Sequence, residues 1–293
     1  MHYKITSGER VFSAVNIIIL TALLILFLYP VLYILFGSFS DPGKMMEHRG
    51  ILFAPLGFTL EAYKLVLKNP LILTSYANTL YYVIAGTAIN VFLTTLGAYC
   101  LSRKKLLLKN FFMLLITFTM FFSGGLVPSY LLVKSLHLQD TRWVMLIPTA
   151  ISAYNLIIMR TFFNGIPDSL EESAKIDGAG DFTVLFKILV PVAKPVIAVM
   201  VLFYGVGHWN EWFNASIYMT DRDLFPLQLI LREILIQNST DSMMTDVGGA
   251  DKALIGESVK YATIVVATVP ILFIYPFLQK YFQKGFMLGS VKG

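Results

Sequence analysis

Two stretches of this chain carry residue types that could do chemistry. One is 168-DSLEESAKIDGAGDFTVLFKILVPVAKP-195, where acids, lysines, two closely spaced glycines and two prolines interrupt a nearly uncharged sequence. The other is "GVGHWNEWFNA", which crowds His208, Trp209, Asn210, Glu211, Trp212 and Asn214 together. Trp at a membrane boundary commonly serves as an anchor. Asn210 and Glu211 are costly towards lipid and favour a cavity or a partner helix. Other chemistries lack their residues. His2, His48, His137 and His208 have no metal-ligand spacing, so no metal site is expected. "DPGKMM" has neither the spacing nor the hydroxyl of a phosphate loop. The single Cys100 excludes an internal disulfide and reads as a packed, inert thiol at the end of an apolar run.

The elements that must position these residues are greasy. The 293 residues are 56% apolar and 14% charged, with mean hydropathy +0.69, whereas soluble domains carry about 25% charged residues. A bilayer core of ~30 Å needs about 20 apolar residues of helix. Six runs fit: about 12–36, 76–100, 110–133, 143–163, 195–217 and 261–279. The first exceeds a cleavable signal core and no small-residue site follows, so it reads as a retained span. Pro30 falls inside it, as membrane helices tolerate.

Orientation follows from Lys and Arg near span ends. With the N-terminus inside, the inner segments hold Lys4 and Arg10; Arg103, Lys104, Lys105 and Lys109; Arg160, Lys175, Lys187 and Lys194; and Lys280, Lys284 and Lys292. The other ten basic residues spread over longer loops. Both termini and the 168–195 block are therefore expected in the cytoplasm. The basic balance suits a membrane edge and calls for no nucleic acid. The span centres lack the ionisable groups of pumps and voltage sensors. Any energy for active work must come from another protein.

The block itself reads as helix, glycine turn, helix. Pro167, Asp168 and Ser169 suit a helix start, and Leu170, Ala174 and Asp177 follow along one line. Gly178 stops the helix, since glycine accepts the left-handed conformation. Asp181 can cap a second helix whose Phe182, Leu185, Phe186 and Leu189 keep 3–4 spacing. Pro191 and Pro195 then bend the chain into the fifth span. Such a unit is either an interfacial connection between spans or a rigid knob for a soluble partner.

"EESAKIDGAG…FKILVP" resembles the EAA motif of binding-protein-dependent ABC importers, whose sugar-uptake branch reads E-A-A-x-x-D-G-A, then an aromatic, a branched aliphatic and a proline. Glu172, Ala174, Asp177, Gly178, Ala179, Phe186, Ile188 and Pro191 fall at matching places, with Ser173 where alanine is usual. The likeness is to the MalG/LplC-like membrane subunits, which include alginate and pectin-type importers. It implies an all-α integral membrane protein with six transmembrane helices. The fold would be that of a type I ABC importer permease, a single domain over 1–293 with cytoplasmic termini and a coupling helix. By carry-over, Leu170, Glu171, Glu172, Ser173, Ala174, Asp177, Gly178 and Ala179 would couple to an ATPase. Glu172 would make polar contacts, Gly178 would set the bend, and Leu170, Ala174 and Ala179 would give small apolar contacts. The tail "QKYFQKGFMLGSVKG" resembles the maltose-type C-terminus, and "HWNEWFNASIYMTDRDLFPLQLILREIL" the LplC-like subgroup.

The implied activity is ATP-driven import of oligosaccharide into a bacterial cytoplasm across the inner membrane, by alternating access. The implied partners are a second, homologous permease subunit in a heterodimer, two ATP-binding subunits holding ATP and Mg, and an extracytoplasmic sugar-binding protein. No cofactor and no catalysis are expected of this chain, which is not read as an enzyme. Import of a peptide or amino acid is the alternative, and an integral-membrane enzyme a more distant one. Asn78, Asn90, Asn155, His208, Trp209, Asn210 and Glu211 are candidates for the substrate path, where rings stack on sugar faces and amides and carboxylates meet hydroxyls. Interhelical hydrogen bonds explain the three span asparagines equally well. The long loop 218–260 would face outwards, with "FPLQLILREIL" as an amphipathic helix.

Overall fold

A computed structural model describes residues 7–104, 106–236 and 256–273, whose regular elements are helices, with a lone bridge between Ser40 and Phe58 in place of any strand. The tail 280–293, the end of the sixth run, Lys105 and the centre of the long loop lie outside the described residues. The chain divides into two compact units, Met1–Asn69 with Glu233–Thr268, and Pro70–Arg232 with Val269–Gly293.

In the first unit, α1 (Ser7–Ser38) runs unbroken through Pro30. Its side chains are exposed from Ser7 to Leu28, a surface that lipid can solvate and water cannot. Close packing is seen near its C-terminus. Gly37 lets the Tyr261 ring approach the backbone, for a Cβ there would lie 2.8 Å from the ring. Tyr33 meets the same ring edge-on at 6.0 Å. Short helices α2 (Pro42–Glu47) and α3 (Glu61–Lys68) follow, α2 capped by the Asp41 carboxylate on Lys44 N.

The second unit is built on α4 (Pro70–Ser102). The third apolar run was expected as one span over 110–133. It is instead α5 (Lys109–Phe121) and α6 (Leu126–Ser135), bent by 113°. The break holds Gly124 and Gly125, the latter at φ +84°, which a β-carbon disfavours. The fourth run, expected over 143–163, is helical only as α7 (Ala153–Asn164), preceded by a 3₁₀ turn Arg142–Met145. Pro148 explains the loss: it lacks an N–H and pushes the residue before it out of helical geometry.

Next come α8 (Ser169–Ile176) and α9 (Asp181–Val192), then α10 (Lys194–Trp209), turned by 85° from α9 between Pro191 and Pro195. The fifth run therefore ends at Trp209 and resumes as α11 (Phe213–Tyr218), followed by α12 (Leu227–Ile236) and α13 (Gly256–Phe273). Among the described residues, three helices are long and apolar enough to cross a membrane, or five if each bent pair is one span.

α4 packs along α10 and α7. Their shared core joins Ala98, Met159, Phe163, Leu185, Leu189, Met200 and Tyr204. Cys100 is exposed, not packed, because it lies on the face of α4 turned away from this core. Asp140, at φ +52°, ties down the chain after α11. Its carboxylate accepts from the Thr220 and Asp221 amides and the Thr220 hydroxyl, which hold its pKa below the usual value. A depressed carboxylate stabilises its contacts above the unfolded pKa and loses that contribution as pH falls through the folded one. Limited proteolysis over 219–223 should accelerate between about pH 6 and about pH 2. Asp140→Ala should cleave at the faster rate at both.

Candidate functional site

The 168–195 block is stiffened by local chemistry. α8 ends in a Schellman motif: Ala179 N donates to Ala174 O at 2.9 Å and Gly178 N to Lys175 O at 3.1 Å. Gly178 sits at φ +80°, and a Cβ on it would meet nothing within 4 Å. The requirement for glycine is therefore conformational, not steric. Asp181 was expected as a cap. It is instead the first residue of α9, and its carboxylate lies 3.2 Å from Lys175 Nζ.

A π turn over Val184–Leu189 widens α9. The longer period splits the expected apolar line. Leu185 and Leu189 are buried, while Phe182 and Phe186 are exposed, Phe186 stacking on Phe92 at 6.2 Å.

The two faces of α8 differ. One holds on to the protein: Ala174 is buried in the α4–α7–α10 core, and the Glu171 carboxylate pairs with Arg103 just beyond the end of α4. Glu171 also accepts from Lys175 at 2.7 Å. Lys104 pairs with Asp168, lowering that carboxyl's pKa and raising its own. Arg160 Nε and Lys109 Nζ donate to the terminal carbonyls of α4, Leu101 at 3.0 Å and Ser102 at 3.1 Å. The other face carries Ser169, Glu172, Ser173 and Ile176, all exposed at i, i+3, i+4 and i+7. Ile176 is 86% exposed. Of the residues expected to meet a partner, Ala174 and Glu171 are turned inwards, because helix phase places them together against the core. Leu170, Glu172, Ser173, Asp177 and Gly178 are exposed, and Ala179 is partly buried. Ile176, missed in the sequence reading, is the most exposed apolar side chain of α8; its i+4 spacing from Glu172 was the available signal.

The second constellation is a polar cavity of about 350 Å³. Thr149, Ile151, Ser152, Asn155, Tyr204, His208 and Glu211 contribute to its wall. It lies where two apolar runs lose their helix, before α7 and after α10. Non-helical backbone at membrane depth is tolerated where it is buried in protein or lines a cavity, and here side chains satisfy it. Asn90 Nδ2 donates to Thr149 O at 2.6 Å, Ser152 N to the Tyr204 hydroxyl at 3.1 Å, and Asn214 N to Glu211 Oε1 at 2.9 Å. His208 Nε2 lies 2.6 Å from Asn90 Oδ1. The Nε2 edge of the ring packs against Gly86, where a Cβ would come within 2.6 Å of Cε1.

Of the expected path residues, Asn155, His208 and Glu211 line this cavity, with Asn90 behind His208. The other three do not join them. Asn78 pins the turn before α12 through the Asp223 and Phe225 carbonyls, at 2.6 and 3.2 Å. Trp209 is buried edge-on to Tyr76 and lines a separate apolar groove of about 640 Å³. Asn210 folds back onto Val206 O at 3.0 Å. Thr149, Ser152 and Tyr204 were missed; Pro148 inside an apolar run was the signal.

Comparison with known proteins adds a family context. Residues 80–287 match the family model described as binding-protein-dependent transport system inner membrane component. Protein LplC of Bacillus subtilis (strain 168) is 43% identical over 289 residues, covering 98% of this chain and 97% of that protein. The polygalacturonan/rhamnogalacturonan transport system permease protein YtcP of the same organism is 43% identical over 265 residues, covering 90% and 92%. A crystal structure of a bacterial ABC transporter involved in the import of the acidic polysaccharide alginate superposes with TM-score 0.88 at 32% identity. It covers 96% of this chain and 100% of that chain.

Proposed function

Because this chain belongs to the family of binding-protein-dependent transport system inner membrane components, we propose that it is the permease through which an ATP-driven importer passes oligosaccharides derived from a complex, acidic polysaccharide such as alginate. It is a multi-pass protein of the bacterial inner membrane and a transporter subunit, not an enzyme. The acidic-polysaccharide reading is supported by the 43% identity to a polygalacturonan/rhamnogalacturonan permease and the likeness to an alginate importer.

The observation that carries the mechanism is the divided α8, held to the core on one face and free on the other. Such a helix can receive force from an ATP-binding subunit on Glu172, Ser173 and Ile176. It passes that force through Ala174 and Glu171 to α4, α7 and α10, whose packing borders the polar cavity. Leu170, Asp177, Gly178 and Ala179 complete the coupling unit. In this reading one domain crosses the membrane six times with both termini inside. It pairs with a homologous permease, two ATP-binding subunits carrying ATP and Mg, and an external binding protein. Asn155, His208 and Glu211, backed by Asn90, form this subunit's part of the sugar path.

The test is mild-detergent purification of the tagged chain from its native membrane, with mass spectrometry of what stays bound. An ATP-binding subunit and a second permease are expected. Ile176→Asp, which puts a charge at the centre of the free face, should reduce ATPase recovery at least tenfold while permease yield holds. A chain that purifies alone and still imports sugar would overturn the assignment.

A further inference from the structure

The hydrogen-bond network behind the polar cavity fixes the tautomer of His208. Thr149 O can only accept, so the Asn90 amide must turn Nδ2 towards it and Oδ1 towards the imidazole. Oδ1 also only accepts. In the neutral ring the proton therefore sits on Nε2, and Nδ1 is left with a free lone pair. Nε2, Cε1 and Cδ2 are the ring atoms nearest Gly86, which places Nδ1 on the side away from that helix. The His208 residue is only 6% exposed, yet Nδ1 is not among the sealed, unpartnered polar atoms and has no hydrogen-bond partner among the described residues. Asn155, also 6% exposed, lines the same cavity, and its side-chain amide finds no partner among the described residues. The nearby Tyr204 hydroxyl is already engaged by Thr94 at 2.7 Å and by Ser152 N.

An acceptor that opens onto a cavity without a protein partner is available to whatever donor enters there. The cavity thus offers an imidazole lone pair, a free amide and, at its edge, the Glu211 carboxylate. That set favours a donor-rich surface and disfavours an anionic one. About 350 Å³ is at the small end of ligand pockets, which run ~300–1,000 Å³. We infer that His208 accepts a hydrogen bond from a sugar hydroxyl through Nδ1, and that with Asn155 it reads the hydroxyl edge of the passing oligosaccharide. Asn90 is the positioning residue that sets the tautomer. Glu211 disfavours a carboxylate on the same edge, so any uronate group of the sugar faces elsewhere in the passage. This inference rests on the proposed function and names the part of the sugar this subunit handles.

Two amide isosteres separate the ring nitrogens. Gln at 208 keeps a donor near Nε2 for Asn90 and supplies nothing at Nδ1; Asn keeps a polar atom near Nδ1 and gives up the Asn90 bond. The complete importer, with its binding protein, is reconstituted in proteoliposomes and supplied with partial digests of polygalacturonate and alginate. The readout is ATP hydrolysed per oligosaccharide imported at saturating binding protein. His208→Gln should raise that ratio about tenfold, the effect of one lost hydrogen bond to a ligand. His208→Asn should raise it no more than about threefold. Equal ratios for the two variants, whether raised or at the wild-type level, would overturn the inference while leaving the importer reading intact. A wild-type importer that hydrolyses ATP but moves neither digest would overturn the sugar reading and this inference with it.

Discussion

Gly178→Pro should cut ATP-driven uptake by more than about a hundredfold while the permease still reaches the membrane. Gly178 sits at φ +80°, and proline is locked near −65°. The Schellman motif cannot form around proline, because the residue also loses the N–H that reaches Lys175 O. α8 would then lose its fixed angle to α9, and force on its free face would be spent in bending the turn. The graded series makes the mechanism testable. A Cβ at 178 meets nothing within 4 Å, so Gly178→Ala should suffer only the left-handed backbone cost of about 1–2 kcal/mol. Gly178→Asn should suffer less, since asparagine visits that region. Uptake and ATPase co-purification should fall in the order Gly, Asn, Ala, Pro. A ranking by side-chain size would point to a partner contact at 178 and not to backbone geometry.

Arg103→Glu should produce the next largest loss, about thirtyfold in sugar moved per ATP. Arg103 and Glu171 are 21% and 13% exposed in their side chains, so the pair is largely screened from water. Arg103 is also held by the Ser102 hydroxyl at 3.0 Å and lies over the Tyr99 ring at 4.9 Å. Hydrogen bonds between charged groups contribute about 1.5–3 kcal/mol, and reversal adds repulsion to their loss. Glu171→Arg alone should be comparably damaging, because Lys175 then also faces a cation. The double reversal should recover much of the coupling, which distinguishes a specific ionic link from general destabilisation. Uptake and ATP hydrolysis measured together in proteoliposomes would read the ratio. Single and double variants with the same ratio would remove this pair from the force path.

The sequence made some of this legible and hid the rest for physical reasons. The bend at 178 and the turn into α10 were readable because glycine and proline act through their own backbone. The two faces of α8 were half readable. Helix phase puts Ala174 with Glu171 and Ile176 with Glu172, but only the tertiary contacts of Ala174 reveal which pair points inwards. Hydropathy gave no sign of the helix breaks within 143–163 and 195–217, since a window of apolar residues does not register where backbone hydrogen bonds are broken. Pro148 was the warning in the first case. His208, Asn90 and Thr149 are far apart in sequence, so their network had no local signature. Asn78 looked like Asn90 from the sequence, yet one pins a turn and the other sets a tautomer.

The lipid-exposed length of α1 bears on how the chain is made. From Ser7 to Leu28 every residue of this helix is exposed among the described residues, so its apolar surface there takes little shelter from the rest of the chain. Its backbone is satisfied within the segment and its side chains partition into hydrocarbon unaided. It can therefore settle in the bilayer before its later packing partners are made. The Tyr33 and Gly37 end then waits for Tyr261, more than two hundred residues downstream, before its packing closes. Biogenesis of this permease thus runs from a helix that hydrocarbon can shelter to a contact that must wait for Tyr261.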